Sequence, residues 1–97
     1  PNPANSFLNV QFTLDEAQDV NIELCSMTGM AIFREGKSHF SGEYFNTINT
    51  SGLSQGVYLL RITGEKLSAC KKVIIEYKYN NAIDLMILYN VDIKEIQ

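Results

Sequence analysis

The feature that most constrains this chain is the alternation of apolar and polar residues in short segments that end at turn residues. An apolar side chain at every second position is the period of a β-strand with one buried face. The pattern occurs in residues 7–14 and again in residues 20–25, so we predict two strands joined by a polar connection at 15–19. The apolar positions are Leu8, Val10, Phe12 and Leu14, then Val20, Ile22 and Leu24.

Further strands are predicted downstream. The glycine in the turn at residues 26–29 can adopt positive φ, and the chain then returns as a hairpin. Residues 36–42 are polar and glycine-bounded, which indicates a loop. Leu53 is the one apolar residue of the turn at 51–56 and is expected to pack into the core. The predicted strands of this part are residues 31–35, 43–50, 57–63 and 68–77.

The spacing of these segments predicts the fold class. Strand 57–63 carries Tyr58, Leu60 and Ile62 on one face and apolar groups on the other, which favours a central position in a sheet. Short strands about ten residues apart, with glycine turns and no helical period, are typical of a β-sandwich. We predict an all-β fold, an immunoglobulin-like antiparallel β-sandwich of about seven strands. A chain of 97 residues makes one domain at most.

Composition argues against several classes of partner. The formal charge of −3 is spread over interspersed acids and bases, so there is no basic stripe for a phosphate backbone and nucleic acid is not expected to bind. No apolar run reaches the ~20 residues of a membrane-spanning helix.

No set of residues predicts catalysis, a metal or a cofactor, and we expect that the chain is not an enzyme. The sequence has no Cys-x-x-Cys, no glycine-rich phosphate loop and no paired cysteine and histidine. His39 has no ligand-type neighbour, which favours an ordinary surface residue. Asp15, Glu16 and Asp19 lie in one polar segment, where a solvated turn is favoured over an acid–base pair or a calcium site.

The two cysteines, Cys25 and Cys70, leave the redox state open. A disulfide would require Cα atoms within ~6 Å, which the spacing cannot establish, and two separate thiols are favoured. Alternation places Cys25 off the face of Val20, Ile22 and Leu24, so we expect it outside the core.

Four blocks of the chain, in this order, resemble the type A C-terminal sorting domain carried by cargo of the type IX (Por) secretion system. Each block is weak alone, but their order and spacing make the combination fairly specific, and it covers roughly residues 1–78. The blocks are Pro1-Asn-Pro-Ala-Asn5 with Phe7-Leu-Asn-Val10, then Leu24-Cys-Ser-Met-Thr-Gly-Met30, Leu53-Ser-Gln-Gly-Val-Tyr-Leu-Leu-Arg-Ile62 and Lys71-Lys-Val-Ile-Ile75.

The resemblance implies a signal at the end of a secreted protein of the Bacteroidetes. Such a domain directs an N-terminal passenger across the outer membrane, from transit in the periplasm to secretion or the cell surface. Its implied partners are the translocon and a sortase that joins the passenger to surface lipopolysaccharide. The residues proposed for partner recognition are Gly56, Val57, Tyr58, Lys71, Lys72, Val73 and Ile74, although Tyr58 and Val73 would be core in any sandwich.

The tail at residues 79–97 departs from the family pattern. Its apolar run at 82–91 predicts either a strand or a buried helix. As a strand it would pair with an exposed edge of its own molecule or of a neighbour, giving self-association. A frameshift or vector origin is the other interpretation.

Two other functions remain open from the sequence. An adhesive or carbohydrate-binding sandwich of a surface protein is the main alternative, although the chain has no Trp to stack on a sugar. A structural spacer between domains comes third.

Overall fold

The computed structural model describes residues 5–76 and 86–93, with side chains for 6–76. The described residues are almost entirely strand, which confirms the all-β prediction, and they contain no helix that could span a membrane. The strands are β1 (Asn5–Ser26), β2 (Ala31–Asn49), β3 (Gly56–Gly64), β4 (Ser68–Ile75) and β5 (Met86–Ile93).

These strands form one sheet with the antiparallel order β2-β1-β3-β4. β2 pairs with β1 from Phe7 to Cys25, so the other edge of β1 is shared between two neighbours. On this edge, β3 pairs antiparallel with residues Val20 to Ser26 of β1, and β5 pairs parallel with residues Asn5 to Phe12. β3 also pairs with β4, which confirms its predicted central position. Within the tail, β5 therefore pairs with an edge of its own molecule; the rest of the tail lies outside the described residues.

The predicted breaks at residues 15–19 and 36–42 are wrong, because both segments belong to long strands. β1 has 22 residues and β2 has 19, and register shifts between Leu14 and Val20 mark bulges instead of a turn. A straight strand of this length would measure ~73 Å. The longest dimension of the molecule is 47 Å, so β1 has to bend.

Contacts within β2 show where the bend lies. The Tyr44 hydroxyl donates a hydrogen bond to Glu35 Oε1 at 2.6 Å, although nine residues of straight strand would separate them by ~30 Å. His39 and Gly42 lie between Glu35 and Tyr44 in the strand, and their φ angles are +49° and +90°. The His39 backbone N–H donates to Asp19 Oδ1 at 2.8 Å, which ties the bend of β2 to that of β1. Polar residues at these positions therefore stabilise a bend.

The bend lets a single sheet enclose its own core. Each half of β1 buries its own alternate apolar side chains, and both sets lie in one cluster, as the pattern predicted. Phe12 stacks on Tyr44 with ring centroids 4.6 Å apart, and Phe40 meets both rings edge-on. Leu53 is half-buried against this core, as expected. The described residues thus form five strands, and a seven-strand immunoglobulin-like sandwich is not confirmed.

Cys25 is only 4% exposed, although it lies on the face opposite Leu24. The pairing of β1 with β2 shifts register between Leu24 and Cys25. Cys25 therefore lies across from Ala31 of β2 on one side and from the half-buried Leu59 of β3 on the other. The expectation that Cys25 avoids burial is therefore wrong, because this outer face also carries apolar residues. Cys25 and Cys70 are both free thiols.

Candidate recognition site

The β3–β4 hairpin carries all seven residues that the sequence proposes for recognition. The register pairs Val57 with Ile74 and Tyr58 with Val73, and it places Lys72 and Lys71 across from the next two residues of β3. Gly56 pairs with Ile75 at the end of the ladder. The structure therefore brings the glycine block and the lysine block together at one end of the sheet.

The turn of this hairpin is fixed against the bend of β1. The Gly64 N–H donates to the Leu67 carbonyl at 3.0 Å, and Leu67 is buried. A Cβ on Gly64 would lie 2.7 Å from Gln18 Oε1 and 2.9 Å from the Asp19 carbonyl oxygen. Gln18 Oε1 also accepts the Lys66 backbone N–H at 3.1 Å. Only a glycine allows this close approach, so the position of the hairpin depends on Gly64.

Two of the seven residues are part of the core. Tyr58 is 8% exposed and Val73 is 4% exposed, and both lie in the main hydrophobic cluster. The Tyr58 hydroxyl donates to the Ser54 carbonyl oxygen at 2.6 Å. Their role is to hold β3 and β4 in place, because neither side chain is available to a partner.

The other side chains of the set are exposed. Lys71 and Lys72 are both exposed, Ile74 is 52% exposed and its cross-strand partner Val57 is 37% exposed. Because alternate residues of a strand share a face, Lys71 lies on the core side with Val73, while Lys72 lies on the outer side with Ile74. The two ammonium groups therefore emerge on the two sides of the same strand.

Three exposed cationic side chains lie close together on β3 and β4. Arg61 is exposed on the outer face, where its cross-strand neighbours are Glu23 and Cys70. Glu23 is already bound by Arg34 through an Nε–Oε2 contact of 2.8 Å. In the part of the chain with described side chains, no carboxylate forms an ion pair with Arg61, Lys71 or Lys72. Among residues 6–76, these three cations are therefore exposed and not neutralised by an ion pair.

The remaining sequence candidates lie at the bend. Asp19 accepts the His39 backbone N–H, and Glu16 lies 3.7 Å from the Lys66 ammonium in an exposed ion pair. Residues 6–76 hold no group of three or more side chains of metal-ligand type. The contact of Asp19 thus stabilises the bend, whereas the exposed Glu16–Lys66 pair contributes little to stability.

Sequence reasoning did not single out Met27 and Met30 as surface residues. They are 63% and 67% exposed in the turn between β1 and β2. Ser26 pairs with Tyr58, so Met27 follows directly beside Val57. The sequence did contain a signal for this exposure, because a turn at Gly29 leaves few neighbouring residues that could cover long apolar side chains. Met27 thus adds an exposed apolar side chain beside Val57 and its cross-strand partner Ile74.

The described residues thus define a small all-β domain that presents an exposed terminal strand. The family model for the secretion system C-terminal sorting domain matches residues 1–76, and the chain belongs to this family. It is a sorting signal for type IX secretion, which implies contact with the secretion machinery, an N-terminal passenger, and export to the medium or the cell surface. No curated protein and no solved structure gives a significant match.

Proposed function

We propose that the translocon and the sortase of the type IX system read this domain at the β3–β4 end of its sheet, during transit through the periplasm. The observation that carries the proposal is the exposure of Lys71 and Lys72 on the terminal strand β4. The domain does no chemistry of its own and acts by being bound. Its passenger supplies whatever activity the exported protein has.

The positions of the motif residues support this assignment. Lys71 and Lys72 contribute nothing visible to the core, whereas Tyr58, Val73 and Ile75 are buried in it. Burial in the core therefore explains Tyr58, Val73 and Ile75 but leaves the two lysines unexplained. The bend, which lets one sheet enclose a core, supports an immunoglobulin-like arrangement as a further part of the proposal. An origin in the Bacteroidetes is also part of the proposal and rests on the family resemblance. The adhesive alternative has no observation in its favour.

The test is an export assay with the whole chain. A fluorescent reporter with a signal peptide is fused in front of residues 1–97 and expressed in a bacterium that has a type IX system. We expect reporter in the medium or on the cell surface with the domain, and in the periplasm without it. A strain that lacks the translocon is the control for leakage. Equal periplasmic retention with and without the domain would refute the proposed function.

A further inference from the structure

The terminal strand β4 offers an unpaired backbone edge. Residues 68–75 pair with β3 on one side, and no strand within 5–76 or 86–93 pairs with them on the other. Unpaired N–H and C=O groups on such an edge are a template for an added strand. Backbone pairing supplies affinity, and the side chains along the edge decide which strand is accepted.

The side chains of this edge form a directional pattern. Lys71 and Lys72 come first and are exposed on opposite sides of the strand, and the three apolar residues 73–75 follow. A strand added antiparallel to β4 would place its own residues directly across from these five. The complementary segment therefore has three apolar residues followed by two carboxylates, in its own direction from the amino to the carboxyl end.

The same pattern disfavours a second copy of this chain. If two β4 edges paired antiparallel about Val73, Lys71 would lie across from Ile75 and Lys72 across from Ile74. Each pairing would place an ammonium group against an aliphatic side chain, without a carboxylate to compensate the lost hydration. Pairing about the lysines would bring like charges together. Lysines on edge strands commonly prevent such association, and here they also select the partner.

We propose that the β4 edge binds an extended segment of a partner protein in which three apolar residues precede two acidic ones, and that this segment becomes a further antiparallel strand of the sheet. The proposal rests on the proposed function in that the segment would belong to the secretion machinery. Charge complementarity to Lys71 and Lys72 carries it, together with the lack of any ion pair to either lysine among the described residues.

The probe is the synthetic peptide acetyl-Thr-Val-Ile-Val-Glu-Glu-Thr-amide, with the peptide in which both Glu are replaced by Lys as its control. Binding to the full chain is measured by calorimetry and by backbone-amide NMR. We expect the Glu peptide to bind at least about tenfold more tightly than the Lys peptide. The shifts should centre on residues 68–75, and affinity should fall with salt.

Charge reversal is the decisive variant. The double variant Lys71→Glu with Lys72→Glu should no longer bind the Glu peptide and should bind the Lys peptide instead. A purely structural role of the lysines would not reverse this preference. A Lys66→Glu variant, in the turn before β4, is the matched control and should keep the preference of the natural chain. Absence of Glu-peptide binding, equal binding of the two peptides, or shifts centred away from β4 would each overturn the proposal.

The export assay separates this inference from the function on which it rests. If the natural domain exports the reporter and the charge-reversed domain exports it equally well, the inference fails and the sorting function stands. If the natural domain does not export the reporter, the sorting function fails, and the peptide experiment alone decides whether β4 accepts an acidic strand.

Discussion

Tyr44 donates a hydrogen bond of 2.6 Å to Glu35, although both residues belong to the strand β2. This contact joins the two halves of a strand that bends between them. The Lys37 ammonium, which comes from the half of β2 before the bend, lies 5.9 Å from the Tyr44 ring centroid. Tyr44 also stacks on Phe12, so its ring connects the bend directly to the core. A single tyrosine therefore contributes to the bend and to the packing beneath it.

The first prediction concerns pH. Burial, and next the hydrogen bond to Glu35, raise the pKa of Tyr44 to about 12 from its ordinary 10.0. Because the folded state holds this proton more tightly than the unfolded state, the resulting stabilisation is complete below pH 10 and is lost between about pH 10 and pH 12. Urea unfolding across this window should show the loss. Tyr44→Phe should have a flatter profile there, and parallel profiles for the two proteins would contradict the assignment.

The second prediction compares a buried tyrosine with the exposed lysines. Tyr58→Ala removes an aromatic side chain from the core and should cost about 3 kcal/mol or more in the free energy of unfolding. Lys71→Ala with Lys72→Ala should cost less than about 1 kcal/mol, since both side chains are exposed. Tyr58→Phe is the control that keeps the ring and loses only the bond to Ser54. Melting temperature and export yield are measured for all three variants.

Export separates the two kinds of change. The Tyr58→Ala variant should lose export through misfolding, whereas the double lysine variant should melt almost normally and be exported poorly. Normal melting together with normal export in the double lysine variant would show that these lysines are ordinary surface charge. The recognition site would then lie elsewhere on the domain.

The third prediction concerns the turn between β3 and β4. Gly64→Ala should destabilise the fold by about 1–3 kcal/mol, because the added Cβ would overlap a backbone carbonyl that cannot move freely. Gly52→Ala is the matched control, since no atom lies within 4 Å of a Cβ at that position. Chemical denaturation of both variants gives the comparison. Equal stability of the two would mean that the turn relaxes around the methyl group.

The fourth prediction concerns β5. Tyr89→Pro removes a backbone donor from this strand and should weaken its pairing with β1. Hydrogen exchange should then accelerate at the amides of Asn5–Phe12 that face β5, while Val20–Ser26, which pairs with β3, stays protected. Tyr89→Val keeps the N–H and serves as the control. Unchanged exchange in the proline variant would show that β5 adds no protection to this edge.

Alternation identified most core residues correctly because it depends only on the strand period, but it missed the buried Cys25. Leu8, Val10, Ile22, Leu60 and Ile62 are all completely buried. The same rule separated the exposed Lys72 from the buried Val73 and Ile75. The binding of a partner to Lys71 and Lys72 is still a prediction, since their exposure shows only that they are accessible.

The sequence by itself determined the all-β class, the central place of β3 and the inward faces of β1, β3 and β4, since these follow from a local period of two. Only the tertiary structure decided that residues 15–19 and 36–42 continue their strands. The physical reason is that a polar segment can satisfy its backbone either in a turn or beside another bulged segment. The bond from the His39 N–H to Asp19, 20 residues away, selects the second arrangement, and a local pattern carries no information about such a partner.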